Sequence, residues 1–322
     1  MIRPLFPPIE TCLSHNLERE GQTLWVEESG NPEGIPVLFL HGGPGSGCTA
    51  EHRRFFDPQR FRTLLHDQRG CGLSQKGLGL STNSTDEILK DLEFVREHLG
   101  IERWILFGGS WGATLGLLYA ESFPAAVHGL VLRGTFLARK QDLEWFLGET
   151  GVRKSYPEAW KVFCSAVGWD EEGLGPLLNF LYRGVMSEDL SISWPIAQAW
   201  ERWGAVVTLA DPKRRPHPFD AGRADAMVRK AQIELHYARH AYFIRENQIL
   251  ENAACIPGIP TVIIHGEKDH VCPVSVAYEL ADAYPNASLR ILKDSGHVPN
   301  DDAMISALIE AVEDIAQMEV DR

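Results

Sequence analysis

The pentapeptide Gly108-Gly109-Ser110-Trp111-Gly112 constrains this chain more than any other stretch. Before it, Trp104-Ile105-Leu106-Phe107 is short, apolar and aromatic enough for a buried strand; after it, Ala113 to Ala120 continues as a helix. Ser110 is therefore expected on a strand-to-helix turn, a nucleophile elbow. Such a turn brings backbone close to the serine on both sides, which only glycine allows two positions before and two after. The helix N-terminus then points N–H groups at the hydroxyl. A chain of this length yields G-x-S-x-G about 0.1 times by chance, so the reading rests on the flanking strand and helix as well as on the pentapeptide.

Further apolar runs at Val37–Leu40, Arg62–His66, Leu130–Leu132, Thr261–Ile264 and Ser288–Leu292 read as strands, most of them followed by Gly-rich or polar turns. Between the second and third strands lies a helix with Ile88, Leu92, Val95 and Leu99 on one face. Ser84 and Glu87 offer a capping box at its start and Gly100 a stop at its end. Strands alternating with helices predict an α/β fold with a mostly parallel sheet flanked by helices. Upstream, Thr23–Glu28 followed by Ser29-Gly30-Asn31-Pro32 suggests an antiparallel N-terminal hairpin. From Ala138 to Cys255 the strand signal disappears, and the segment holds Trp145, Trp160, Trp169, Trp194, Trp200 and Trp203. This predicts a core formed by residues 1–137 and 256–322 with a helical lid, 138–255, inserted in it; tryptophans at that density are read first as packing.

A formal net charge of -13 argues against nucleic acid as a partner, since phosphate neutralisation needs a basic face. The opening MIRPLFPPIETCL has no basic segment followed by a continuous apolar stretch, and no run of about 18 apolar residues occurs, so no membrane association and a cytoplasmic location are expected. The six cysteines are scattered with no C-x-x-C pair and are expected as reduced thiols.

A serine hydroxyl needs a base to take its proton and a carboxylate to orient that base, and on a sheet of this kind they follow in the order Ser, Asp or Glu, His. Asp269 follows the Thr261–Ile264 run in HGEKDH, and His297 follows the Ser288–Leu292 run in DSGH. His297 alone among the twelve histidines combines this chain order with a loop after a strand. His265 ends the strand itself and is read as structural. Glu267 comes too early in its turn, and Asp294 belongs to the histidine's own loop. For the negative charge of a tetrahedral intermediate, His41-Gly42-Gly43-Pro44-Gly45-Ser46-Gly47 follows the Val37–Leu40 run, so the Gly43 and Trp111 N–H groups are the predicted oxyanion donors. The same stretch lacks the G-K-[ST] and G-x-G-x-x-G patterns of phosphate loops.

Five segments together, HGGPGSG at 41–47, Asp67-Gln68-Arg69-Gly70-Cys71-Gly72, the GGSWG elbow, Leu132-Arg133-Gly134 and Asp269-His270-Val271-Cys272-Pro273, resemble proline iminopeptidases. The resemblance spans nearly the whole chain and implies an α/β-hydrolase fold with a helical cap that removes an N-terminal proline, using Ser110, Asp269 and His297 with no metal or cofactor. Its implied partner is a small peptide with a free N-terminus. The family's cap pattern Trp-x-x-Trp-Glu-Gly, then Ile-Glu-x-His-Tyr, is kept in its second part by Ile233-Glu234-Leu235-His236-Tyr237, which implies Glu234 as the amine anchor. The first part departs: Trp200-Glu201-Arg202-Trp203-Gly204 puts glycine where the glutamate would stand, leaving Glu201 as an imperfect substitute. His236 and His240 lack the glutamate of H-E-x-x-H, and no metal is expected there. The competing readings are a carboxylesterase or amidase of the same fold and a catalytically silent binding protein.

Overall fold

The computed structural model describes residues 2–74, 79–213, 220–256, 258–284 and 286–320, without the side chains of residues 221, 222, 255, 319 and 320, so the Cys255 thiol lies outside the described residues. An antiparallel hairpin of β1 (Leu13–Arg19) and β2 (Gln22–Gly30) leads into β3 (Ile35–Leu40) and β4 (Phe61–Asp67). There follow α1 (Thr85–His98), β5 (Trp104–Gly109), α2 (Trp111–Ser122) and β6 (Val127–Arg133). Six helices come next: α3 (Lys140–Leu147), α4 (Pro157–Val167), α5 (Leu174–Val185), α6 (Leu190–Leu209), α7 (Ala221–Arg239) and α8 (Gln248–Glu251). The chain closes with β7 (Thr261–Gly266), α9 (Val274–Ala283), β8 (Ala287–Leu292) and α10 (Asp302–Val320). Among the described residues no strand lies between β6 and β7.

The eight strands form one sheet in the order β1-β2-β4-β3-β5-β6-β7-β8, antiparallel at β1-β2-β4 and parallel from β4 onward. Alternation along each central strand feeds two cores. Leu38, Leu106, Leu130, Leu132 and Ile263 face α1, α2 and α9, while Val37, Ile105, Phe107, Val131, Val262 and Ile264 face α10. Buried on both sides, these strands read as continuous apolar runs.

The N-terminal hairpin differs from its sequence reading in where it turns. Ser29–Pro32 leaves β2 toward β3; the turn is Glu20-Gly21, both at positive φ (50° and 78°), the conformation that suits a two-residue hairpin loop. At α1, Ser84 Oγ accepts the Glu87 N–H at 3.4 Å, but the Glu87 carboxylate is drawn into ion pairs with Arg19 and Lys90. The cap is thus one-sided.

The elbow needs its glycines for stated reasons. A Cβ on Gly108 would lie 2.3 Å from the Gly112 carbonyl oxygen, and one on Gly112 2.0 Å from the Leu40 carbonyl oxygen. Both obstacles are backbone. Gly112→Ala is accordingly expected to destabilise the fold by about 3 kcal/mol, read as a lower urea midpoint at unchanged slope; a shift under about 1 kcal/mol would show that β3 can yield.

Candidate active site

Ser110 sits between β5 and α2 at φ 56°, ψ −123°, a region that costs a non-glycine residue about 1–3 kcal/mol. Three hydrogen bonds hold it there: its N–H donates to the Arg133 carbonyl at 2.9 Å, and its carbonyl accepts the Ala113 N–H at 2.9 Å and the Thr114 N–H at 3.3 Å. The sharp turn lifts the side chain out of the sheet into a cavity of about 560 Å³, which His297, Gly43, Glu201 and Glu234 also line. Trp111 is the first residue of α2, where helix geometry leaves N–H groups unpaired.

Asp269 and His297 are brought together by loops after adjacent parallel strands, β7 and β8. His297 Nδ1 lies 2.6 Å from Asp269 Oδ2, and Asp269 Oδ1 accepts the Val271 and Cys272 N–H groups at 2.9 Å each. Burial alone would raise the Asp269 carboxyl, but His297, by charge and hydrogen bond, together with His265 and the Cys272 N–H, holds it below the ordinary carboxylate value. The carboxylate stays ionised, which favours the proton on Nδ1 and leaves Nε2 as the basic nitrogen. Among the sequence rivals, Glu267 is exposed and Asp294 is an exposed partner of Lys268 at 2.7 Å. His265 is fully buried behind the acid, its Nδ1 accepting the Thr135 N–H at 3.1 Å and its Nε2 facing the Cys272 carbonyl at 2.8 Å.

Two neighbours of this pair had no role assigned from the sequence. Gly134, at φ 55°, presses against it: a Cβ there would lie 3.1 Å from His297 Nδ1 and 3.3 Å from Asp269 Oδ2. The half-buried Arg133 guanidinium donates to the His297 carbonyl and packs against Gly109. Both stand in the Leu132-Arg133-Gly134 segment, but the contact to His297 spans 164 positions and leaves no local pattern.

The glycine-rich loop after β3 is clamped to the chain that follows β4. Gln68 N–H donates to His41 Nε2 at 3.1 Å, Gln68 Nε2 donates to the His41 carbonyl at 2.8 Å, and Gln68 Oε1 accepts the Trp111 indole N–H at 3.0 Å. One side chain thus ties the loop to the elbow. Burial pushes His41 down to about 4, so it is neutral, with Nδ1 donating to the Gly42 carbonyl at 2.9 Å. Asp67 accepts the Cys48 N–H at 2.7 Å and the Leu73 N–H at 2.8 Å, and a Cβ on Gly72 would strike that carboxylate. Arg69 pairs with the buried Asp91 through two 2.7 Å bonds. The loop ends up beside Ser110: a Cβ on Gly42 would lie 3.6 Å from Ser110 Cβ, and Gly43 holds φ 113°.

The helical segment lines the same cavity. Glu234 on α7 accepts the Trp200 indole N–H at 2.7 Å from α6, and Lys230 Nζ approaches Glu234 Oε1 at 3.7 Å. Glu201 and Gly204 line the same cavity, and nothing lies within 4 Å of a Cβ built on Gly204. Most tryptophans of this segment pack; Trp160 and Trp203 stack edge to face at 5.0 Å. Trp200 does both, closing the core and binding the carboxylate. His236 and His240 satisfy each other and the fold: His236 Nε2 faces the Asn83 carbonyl at 3.1 Å and His240 Nδ1 the His236 carbonyl at 2.8 Å. Among the described residues no group of three His, Cys, Asp or Glu side chains could hold a metal. Cys272 also lines the cavity, but burial pushes its thiol and that of Cys71 well up, which leaves little thiolate at either.

Fold and site together define an α/β hydrolase, and the family model described as "alpha/beta hydrolase fold" matches residues 35–303. Solved structures agree at the level of fold: an esterase from Rhodococcus sp. ECU1013 superposes with a TM-score of 0.60 at 20% identity, covering 94% of this chain and 97% of its own. A hydrolase from Pseudomonas aeruginosa PA01 gives 0.61 at 19% identity, covering 95% and 99%. Sequence similarity is more specific. A proline iminopeptidase from Xanthomonas citri is 40% identical over 98% of this chain and 100% of its own length. One from Arabidopsis thaliana is 40% identical over 97% of this chain and 82% of its own. The chain belongs to the proline iminopeptidase family.

Proposed function

We propose that the protein is a serine aminopeptidase that releases proline, or a similarly small residue, from the free N-terminus of a peptide. One observation carries the reading: a single cavity is lined by Ser110, His297 and the Glu234 carboxylate together. That combination suits a substrate held by its ammonium and cut at the carbonyl of the same residue. In this reading His297 Nε2 takes the Ser110 proton as Oγ attacks the carbonyl carbon, while Asp269 steadies the imidazolium that forms. Gly43 and Trp111 N–H groups receive the oxyanion. His297 then returns the proton to the leaving amine; water attacks the acyl-enzyme as His297 takes its proton, and that proton passes to Ser110 Oγ as the acid product leaves.

Residues 138–255 act as the cap over a core of 1–137 and 256–322, because Glu234, Glu201 and Trp200 all reach the cavity from that segment. A charge-assisted bond to an ammonium distinguishes a free N-terminus from a blocked one. Glu234→Gln keeps the size and the Trp200 contact but loses the charge, so kcat/KM for proline arylamide should fall about 10–100-fold. N-acetylproline arylamide, turned over poorly by the wild type, should be unaffected by the substitution. Equal wild-type turnover of free and acetylated substrates would overturn the exopeptidase reading and return an amidase or esterase. With the proposal goes a cytoplasmic location, which cell fractionation would check. The five cysteines with described side chains are free thiols, in keeping with a reducing compartment, and no helix of the described residues is long and apolar enough to cross a membrane.

A further inference from the structure

Glu234 does not wait in the cavity with a bare charge. Its Oε2 is held by the Trp200 indole, which is buried, and its Oε1 faces Lys230, one helical turn earlier on α7. The two contacts differ in kind. Trp200 is a rigid donor built into the cap core, while the lysine side chain keeps 41% of its exposure and swings on a four-carbon stem. Lys230 also belongs to the cavity lining rather than to the outer face of α7. Glu234 first, and Glu201 after it, raise the Lys230 ammonium above its ordinary value. Lys230 and Glu234 therefore pair across one helical turn inside the cavity, which Glu201 also lines. Helix stabilisation does not account for the pair, since lysine preceding glutamate by four residues is the weaker order and is worth a few tenths of a kcal/mol at most.

We propose that Lys230 is an internal competitor for the substrate's ammonium: it occupies the Glu234 carboxylate in the unliganded protein and withdraws when a free N-terminus binds. It thereby sets how tightly charged N-termini are held relative to uncharged ones, and is a specificity-determining residue. The substrate named here rests on the aminopeptidase reading, whereas the competition itself is a property of the pair. Its cause is electrostatic: with the lysine in place the Glu234 carboxylate faces a positive charge at Oε1 and without it that side is unneutralised, and at such a distance one charge is worth roughly a factor of ten in affinity for a cation.

The test is direct binding of pyrrolidine, a cation at neutral pH with the ring of proline and no bond to cleave, followed by ligand-observed NMR titration. Lys230→Met should tighten the pyrrolidine Kd about tenfold and leave that of neutral N-acetylpyrrolidine unchanged, while Lys230→Arg should stay near the wild type. An unchanged or weaker pyrrolidine Kd in Lys230→Met, no binding by either protein, or an equal gain for the neutral compound would overturn the proposal. Failure of the aminopeptidase reading would show separately, as wild-type protein that does not hydrolyse proline arylamide.

Discussion

Replacing Ser110 with alanine is expected to lower kcat for proline arylamide about a millionfold, the size of loss seen when the nucleophile of an interdependent serine, histidine and carboxylate set is removed. The fold should hardly notice. The backbone at φ 56° is held by the Arg133 carbonyl and by the Ala113 and Thr114 N–H groups, none of which involves the hydroxyl, so Ser110→Ala keeps the strain and the bonds alike. Ser110→Gly should be as inactive but more stable than the alanine variant by about 1 kcal/mol, because glycine adopts that conformation freely. Steady-state assays and urea melts of both variants check the pair of statements. Residual activity within tenfold of the wild type would mean that another group attacks the substrate.

The second large effect is at Asp269. Asp269→Asn should cost about 10⁴-fold in kcat near neutral pH, and the structure supplies the reason. Asp269 Oδ1 accepts two backbone N–H groups, from Val271 and Cys272. In the variant that side must keep the amide oxygen, which turns the amide NH2 toward His297 Nδ1. The imidazole must then accept at Nδ1 and carry its proton on Nε2, the nitrogen that should take the serine proton. The base is present but wrongly protonated. A loss of less than tenfold would show that His265, behind the carboxylate, or the Arg133 bond to the His297 carbonyl can orient the ring without the charge.

The two effects differ in how much of their cause can be read along the chain. At Ser110, apolar β5, the glycines and the start of α2 are contiguous, so the elbow follows from local pattern. The central strands are legible for a related reason: buried on both faces, they need unbroken apolar runs. β1 is not, because LSHNLER is an edge strand with mostly exposed side chains, and its turn at Glu20-Gly21 carries only one glycine. Asp269 and His297 could be chosen by chain order, yet what fixes them, Arg133 and Gly134 from the end of β6, comes from far off in sequence.

The sequence by itself determined the class of sheet, the serine on its turn, and the loops that carry Asp269 and His297, because each is written in neighbouring residues that share one strand, one turn or one loop. Tertiary structure alone decided what the Glu234 carboxylate faces in the cavity. Trp200, Glu201, Lys230 and Glu234 sit on two helices; helical spacing alone puts Lys230 beside Glu234, but only packing turns that pair toward the cavity and brings the Trp200 indole onto the carboxylate, where the family pattern had suggested carboxylates alone.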